Sequence, residues 1–201
     1  MAKRGDHISR AFVREYLATT CGISLVEMEE RQNETAADFE MVDSGRRVLI
    51  AELKTLEERR PSAESGWTVE VDADGIEEAH RNHNGPARIA RKIAEAHRQI
   101  SSYARPWAVI LLNSDHFMLV GDFFEAFAGE CVLGTVGGHR VINVASRRIA
   151  LGETLRIRYE VDLYIWLDRV RKPAICVWWS TPAGEAIARR YFQAEANPTS
   201  S

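Results

Sequence analysis

The sequence predicts a single α/β domain, a mixed central sheet flanked by helices, followed by additional C-terminal strands and a closing helix. Three observations lead there. Residues 38–54 alternate around a turn cluster and read as a β-hairpin; residues 86–104 carry the period of an amphipathic helix; and residues 106–112 are a continuous apolar run of strand length. A run apolar on both faces belongs in the middle of a sheet. With 201 residues and 45% hydrophobic composition, the chain has enough apolar mass for one substantial core.

Each element has its own signal. In residues 8–20, Ile8, Ala11, Phe12, Tyr16 and Leu17 recur at helical spacing, Arg14 and Glu15 lie off that stripe, and Cys21-Gly22 is a natural stop. Residues 23–28 suit a short strand and 29–35 a polar loop. The hairpin turns through Asp43-Ser44-Gly45-Arg46, a cluster of turn formers. Residues 56–85 show no apolar period, so a long irregular stretch is expected there. The helix from Pro86 starts with proline in its first turn and has Pro106 beyond its end. Ile89, Ile93, Ala96 and Ile100 form its apolar stripe, and Arg88, Lys92, Gln99 and Tyr103 form a polar stripe beside it. Further on, residues 116–120 suggest a strand, 123–128 a short helix and 130–136 a strand or turn. Residues 156–161 alternate, 164–171 fit helix or strand, and 174–179 fit a strand. Thr181-Pro182 caps a closing helix that reaches about Phe192, and the tail 196–201 is expected to fray. No internal repeat or low-complexity segment interrupts this order.

Composition removes several function classes. A formal net charge of −3 does not suit a protein that coats nucleic acid by bulk electrostatics, although a local basic groove beside an acidic site is compatible with it. Cys21, Cys131 and Cys176 are odd in number and lack C-x-x-C spacing, so neither a disulfide framework nor a zinc site is indicated. No apolar run approaches the length of a membrane span. A reduced, cytoplasmic protein with no membrane contact is the expectation. His80, His83 and His97 lack ligand spacing and read as exposed histidines. Trp178-Trp179 on a strand places one ring in the core and one at an edge, which leaves a homodimer open.

The hairpin carries the chemistry. Alternation puts Phe39, Met41, Leu49, Ala51 and Leu53 on one apolar face; Asp38, Glu40, Glu52 and Lys54 gather on the other around Val48 and Ile50. If the loop centres on Gly45, Asp38 lies opposite Glu52. A one-residue slip in register would separate them. Two carboxylates on adjacent strands suit a hard divalent cation such as Mg²⁺, which activates water and screens a phosphate. Lys54 beside them suits orientation of the attacking water or stabilisation of developing charge. Only four of the 26 basic residues are lysines, and two of these, Lys54 and Lys92, fall on the candidate site.

With Asp38, then Glu52-Leu53-Lys54, then Gln99 and Tyr103 four apart on the next helix, the sequence resembles the PD-(D/E)XK nuclease superfamily. The helical pair is similar to the Q-x-x-x-Y element of its RecB-like and Cas4-like branches. The resemblance covers residues 8–113, and 114–195 would be a variable C-terminal part of the same domain. It implies a restriction-endonuclease-like core and a metal-dependent nuclease, a deoxyribonuclease acting on DNA, with RNA as a second substrate class. Asp38, Glu52 and Lys54 would be catalytic. Mg²⁺, with Mn²⁺ as a substitute, would be held by Asp38, Glu52 and the Leu53 carbonyl. Glu15 on the first helix, Gln99 and Tyr103 would support the site, and Arg88 and Lys92 would contact nucleic acid. Ala37 stands where the family often has proline, a position that is not a ligand. The alternative is a catalytically silent module of the same fold that binds nucleic acid or a protein partner.

Overall fold

The computed structural model describes residues 3–28, 36–57, 67–71, 77–81, 85–116, 118–128, 130–135, 138–143, 156–170 and 174–193. In chain order the elements are α1 (Lys3–Cys21), β1 (Ser24–Glu27), β2 (Phe39–Asp43), β3 (Arg46–Glu57), β4 (Trp67–Val71), β5 (Glu77–Arg81) and α2 (Gly85–Ile100). They continue with β6 (Trp107–Ser114), α3 (Val120–Ala128), β7 (Glu130–Thr135), β8 (Gly138–Asn143), β9 (Leu163–Asp168), β10 (Ala174–Trp179) and α4 (Pro182–Phe192). Six strands share one mixed sheet in the order β1-β2-β3-β6-β9-β10. β1, β2 and β3 form an antiparallel meander, β6 lies parallel to both β3 and β9, and β10 is antiparallel to β9. A parallel neighbour needs a long crossover, and α2 supplies it between β3 and β6.

Alternation along β6 divides the core into two layers. Val109 and Leu111 pack with Ile89, Ile93, Ala96 and Ile100 of α2 and with Phe123 and Phe127 of α3. Ala108, Ile110 and Leu112 pack with Val13 and Leu17 of α1 and with Ile187 and Ala188 of α4. The sheet is therefore covered by helices on both faces, as a strand apolar on both sides requires. The stripe of α2 is fully buried, and each of its isoleucines contributes on the order of 2 kcal/mol of apolar burial. Ile50 and Leu56 of β3 also face the α2 layer, so Glu52 and Lys54, which share their parity, point under α2.

Several expectations change. In α1, Ile8 and Ala11 are exposed, and Val13 with Leu17 forms the buried line. The stretch 56–85 is not uniformly irregular, since β3 extends to Glu57 and β4 pairs with β5 as a separate hairpin. The Trp67–Val71 alternation was its signal. α2 ends at Ile100, leaving Tyr103 in the following turn, where its N–H donates to the Ile100 carbonyl. Residues 116–120 are not a strand: Met118 N–H bonds the Asp115 carbonyl, and the Asp122 carboxylate accepts from Leu119 N–H to start α3. Residues 156–161 turn rather than extend, closed by Glu160 N–H to the Ile157 carbonyl. The ambiguous 164–171 segment contributes to strand β9, buried throughout. Trp178 is buried and Trp179 half-buried. At α4, the Thr181 hydroxyl accepts from Gly184 N–H and Pro182 stands in the first turn. The tail 196–201, the loop 29–35, His83 and all of 144–155 lie outside the described residues. No helix among the described residues is long and apolar enough to cross a membrane.

Candidate functional site

The β2–β3 hairpin turns through Ser44 and Gly45, both at positive φ (51° and 77°), the signature of a type I′ turn whose twist matches the flanking strands. That turn and a bulge between Met41 and Val42 set the register: Phe39 pairs with Ala51, Glu40 with Ile50 and Met41 with Leu49. Across the bulge Val42 pairs with Arg47, so Val48 joins the apolar layer beside α1 instead of the acidic face. Regular pairing stops at Phe39, one residue short of Asp38. From there side chains take over. Asp38 N–H donates to Glu52 Oε2 at 3.2 Å, and Leu53 N–H donates to Asp38 Oδ2 at 2.8 Å. The two carboxylates thus lie opposite each other through a reciprocal pair of hydrogen bonds.

The same lock orients the Leu53 carbonyl. Ile50 N–H bonds the Pro106 carbonyl on the β6 side, and backbone groups alternate along a strand. Leu53 therefore turns both its N–H and its C=O away from β6, toward Asp38. Asp38 and Glu52 are both buried, at 6% and 1% exposure. Burial, and next the Asp38 charge, push the Glu52 carboxyl up to about 7, against the opposing pull of Lys54. Two crowded carboxylates and a carbonyl aimed at one edge form an all-oxygen donor set suited to a hard divalent ion that keeps much of its water. Among the described residues, no group of three or more His, Cys, Asp or Glu side chains is placed to hold a metal ion, so an ion at this pair would rest on the two carboxylates and the main chain.

α2 reaches into the site from above. Lys54 Nζ donates to Glu52 Oε1 at 2.8 Å and also to Gln99 Oε1, so its ammonium is held between strand and helix. The Tyr103 hydroxyl accepts from Ala37 N–H at 3.2 Å and fixes the chain just ahead of Asp38. Asp38, Glu52, Lys54, Gln99 and Tyr103 are therefore brought together. Glu15 is not: it is exposed on α1, about 140° round the helix from the residue that does arrive. That residue is Arg10, whose Nη2 pairs with Asp38 Oδ1. The rotated packing of α1, with Val13 and Leu17 inward, is the reason for the exchange. Glu40 stays half-buried beside Arg47, 3.8 Å away.

Arg88 and Lys92 line a cleft of about 410 Å³ with Thr55, Leu56, Glu57, Arg91 and Glu95. It begins one residue beyond Lys54. Arg88 bonds the Asp115 carboxylate and the Glu57 carbonyl, each at 2.7 Å, and so ties the ends of β3 and β6 together. Lys92 pairs with Glu95 at 2.8 Å, while Arg91 is exposed. His97 is taken up by Glu160 at 2.8 Å, away from any ligand set. Against protein-family models, curated proteins and solved structures, the chain shows no match.

Proposed function

We propose that the protein is a metal-dependent nuclease that hydrolyses phosphodiester bonds in DNA, with RNA as the second substrate class. The observation that carries this reading is the convergence of Asp38, Glu52 and Lys54, where pairing of β2 with β3 gives way to side-chain contacts, with Gln99 of α2 and Tyr103 of the turn after it closing the same place. The order helix, three-stranded meander, crossover helix and parallel strand supports a PD-(D/E)XK-like core. Asp38, Glu52 and the Leu53 carbonyl would hold Mg²⁺ or Mn²⁺. Such an ion supplies Lewis-acid screening of the phosphate and a more acidic water. Lys54, tethered by Glu52 and Gln99, keeps an ammonium beside that position to orient water and offset charge developing on the phosphate. Tyr103 positions Asp38 through the Ala37 amide. The cleft with Arg88, Arg91 and Lys92 gives a sugar-phosphate backbone a path leading to Lys54.

Cleavage of labelled single- and double-stranded oligonucleotides in Mg²⁺ or Mn²⁺ tests the reading. Lys54→Ala and Asp38→Asn should each reduce the rate by on the order of 10³-fold or more, with circular dichroism unchanged. Full activity in either variant refutes the assignment. One observation favours the second reading, a catalytically silent nucleic-acid or protein-binding module: Arg10 sets a cation of the chain itself against Asp38. Binding to DNA that never proceeds to cleavage in either metal would decide for it.

A further inference from the structure

We propose that Arg10 is a cation placeholder, which holds the Asp38 carboxylate in the metal-free protein and is released from it when a divalent ion binds. The inference rests on the metal site proposed above. Asp38 Oδ2 takes the Leu53 N–H at 2.8 Å, and Asp38 Oδ1 takes the Arg10 guanidinium. The first partner is fixed in β3. The second sits on a long side chain that retains 21% exposure and can withdraw to solvent. Lys54 is the more enclosed of the two cations, at 14% exposure, and bonds Glu52 and Gln99.

Charge gives the reason for the exchange. Two carboxylates, one ammonium and one guanidinium already come close to balance, and a divalent ion added to all four would leave an uncompensated excess in a buried place. Without Arg10, the Asp38 charge would face Glu52 with Lys54 alone to offset both. Structural strapping of α1 is a weaker account of the pair. Arg14, one turn on, already bonds Glu27 of β1 at 2.7 Å, and Val13 and Leu17 bury the helix against the sheet. A competitor that must leave lowers apparent affinity by the fraction of molecules in which it has left. Its removal should tighten metal binding.

Calorimetric titration of Mn²⁺ into the full chain separates these accounts. Arg10→Gln should bind Mn²⁺ about tenfold more tightly than the parent, and its thermal midpoint should rise more on Mn²⁺ addition. Arg10→Lys, which keeps charge but loses the planar fork, should gain less, about threefold, and provides the readout if the glutamine variant does not fold. Equal or weaker binding in the variants, with clear binding in the parent, overturns the proposal and leaves the metal site standing. No binding in either parent or variants removes the metal site and the placeholder together.

Discussion

Two buried acidic centres on the same sheet make opposite use of a carboxylate. Asp162, 3% exposed, lies where β9 begins and is surrounded by donors: Arg105 through Nε at 3.1 Å and Nη2 at 2.9 Å, Trp107 N–H at 2.8 Å and the Thr181 hydroxyl at 2.7 Å. One charge meets four donors and ties β6, β9 and the start of α4 together. At the other centre, Asp38 and Glu52 turn two carboxylates on each other, and burial with mutual repulsion pushes Glu52 up to about 7. A buried charge met only by donors is a clamp, whereas the crowded pair shares Arg10 and Lys54 between two carboxylates that repel each other. The packing around each centre matches its use. A Cβ on Gly184 would come 1.8 Å from the Asp162 carbonyl oxygen, so α4 seats directly on the clamp.

The largest expected difference between the centres is in stability. Asp162→Ala strands Arg105, the Trp107 amide and the Thr181 hydroxyl, and should cost about 3–5 kcal/mol in urea unfolding. Asp38→Asn loses the Arg10 attraction but relieves Glu52, and should stay within about 1 kcal/mol of the parent. Equal losses would show that both centres are clamps and would end the comparison.

A smaller effect follows from Glu52 itself. Its folded value of about 7 stands above the ordinary 4.5, so between these limits the folded protein binds more protons than the unfolded chain. Stability of the metal-free protein should be greatest below pH 4.5 as far as this group is concerned, and be lost as pH rises through 7, by on the order of 3 kcal/mol at most. Thermal unfolding from pH 4.5 to 8 measures it, and Glu52→Gln should remove that part of the slope. A slope unchanged in the variant would mean that the crowding of Asp38 and Glu52 does not hold Glu52 protonated.

The smallest effect is expected from the end of α2 and the turn that follows it. Gln99→Ala frees one side of Lys54, and Tyr103→Phe releases the Ala37 amide. In the proposed cleavage reaction, each should lower turnover by about tenfold, with little change in substrate affinity. A change confined to affinity would instead place these side chains on the nucleic acid and sharpen their role as contacts.

Much of this was legible in the order of residues, and the misses have physical causes. The hairpin and its two faces followed from alternation and from Ser44-Gly45, and the observed register holds Phe39 opposite Ala51. The α2 stripe was equally plain, because Ile89, Ile93, Ala96 and Ile100 allow one inward face only. In α1 two stripes competed. Ile8 and Ala11 belong to the apolar pattern by type, yet the helix settles on Val13 and Leu17, and this rotation brings Arg10 rather than Glu15 to Asp38. The bulge at Met41 and Val42 moved Val48 to the other layer, and turn composition carries no sign of it. Residues 116–120 and 156–161 were apolar enough for strands, but Asp122 and local backbone bonds turned them first.

The sequence by itself determined which residues alternate, where the chain turns and which helix face is buried, because these depend on neighbours a few positions apart. Tertiary structure alone decided what meets across the fold. It delivered Arg10 to Asp38, set Lys54 between Glu52 and Gln99, hung Ala37 on Tyr103, and enclosed Asp162 in donors from two distant segments. Those contacts depend on how helices rotate and slide on the sheet to fill its two apolar layers, and that is settled by packing of the whole core.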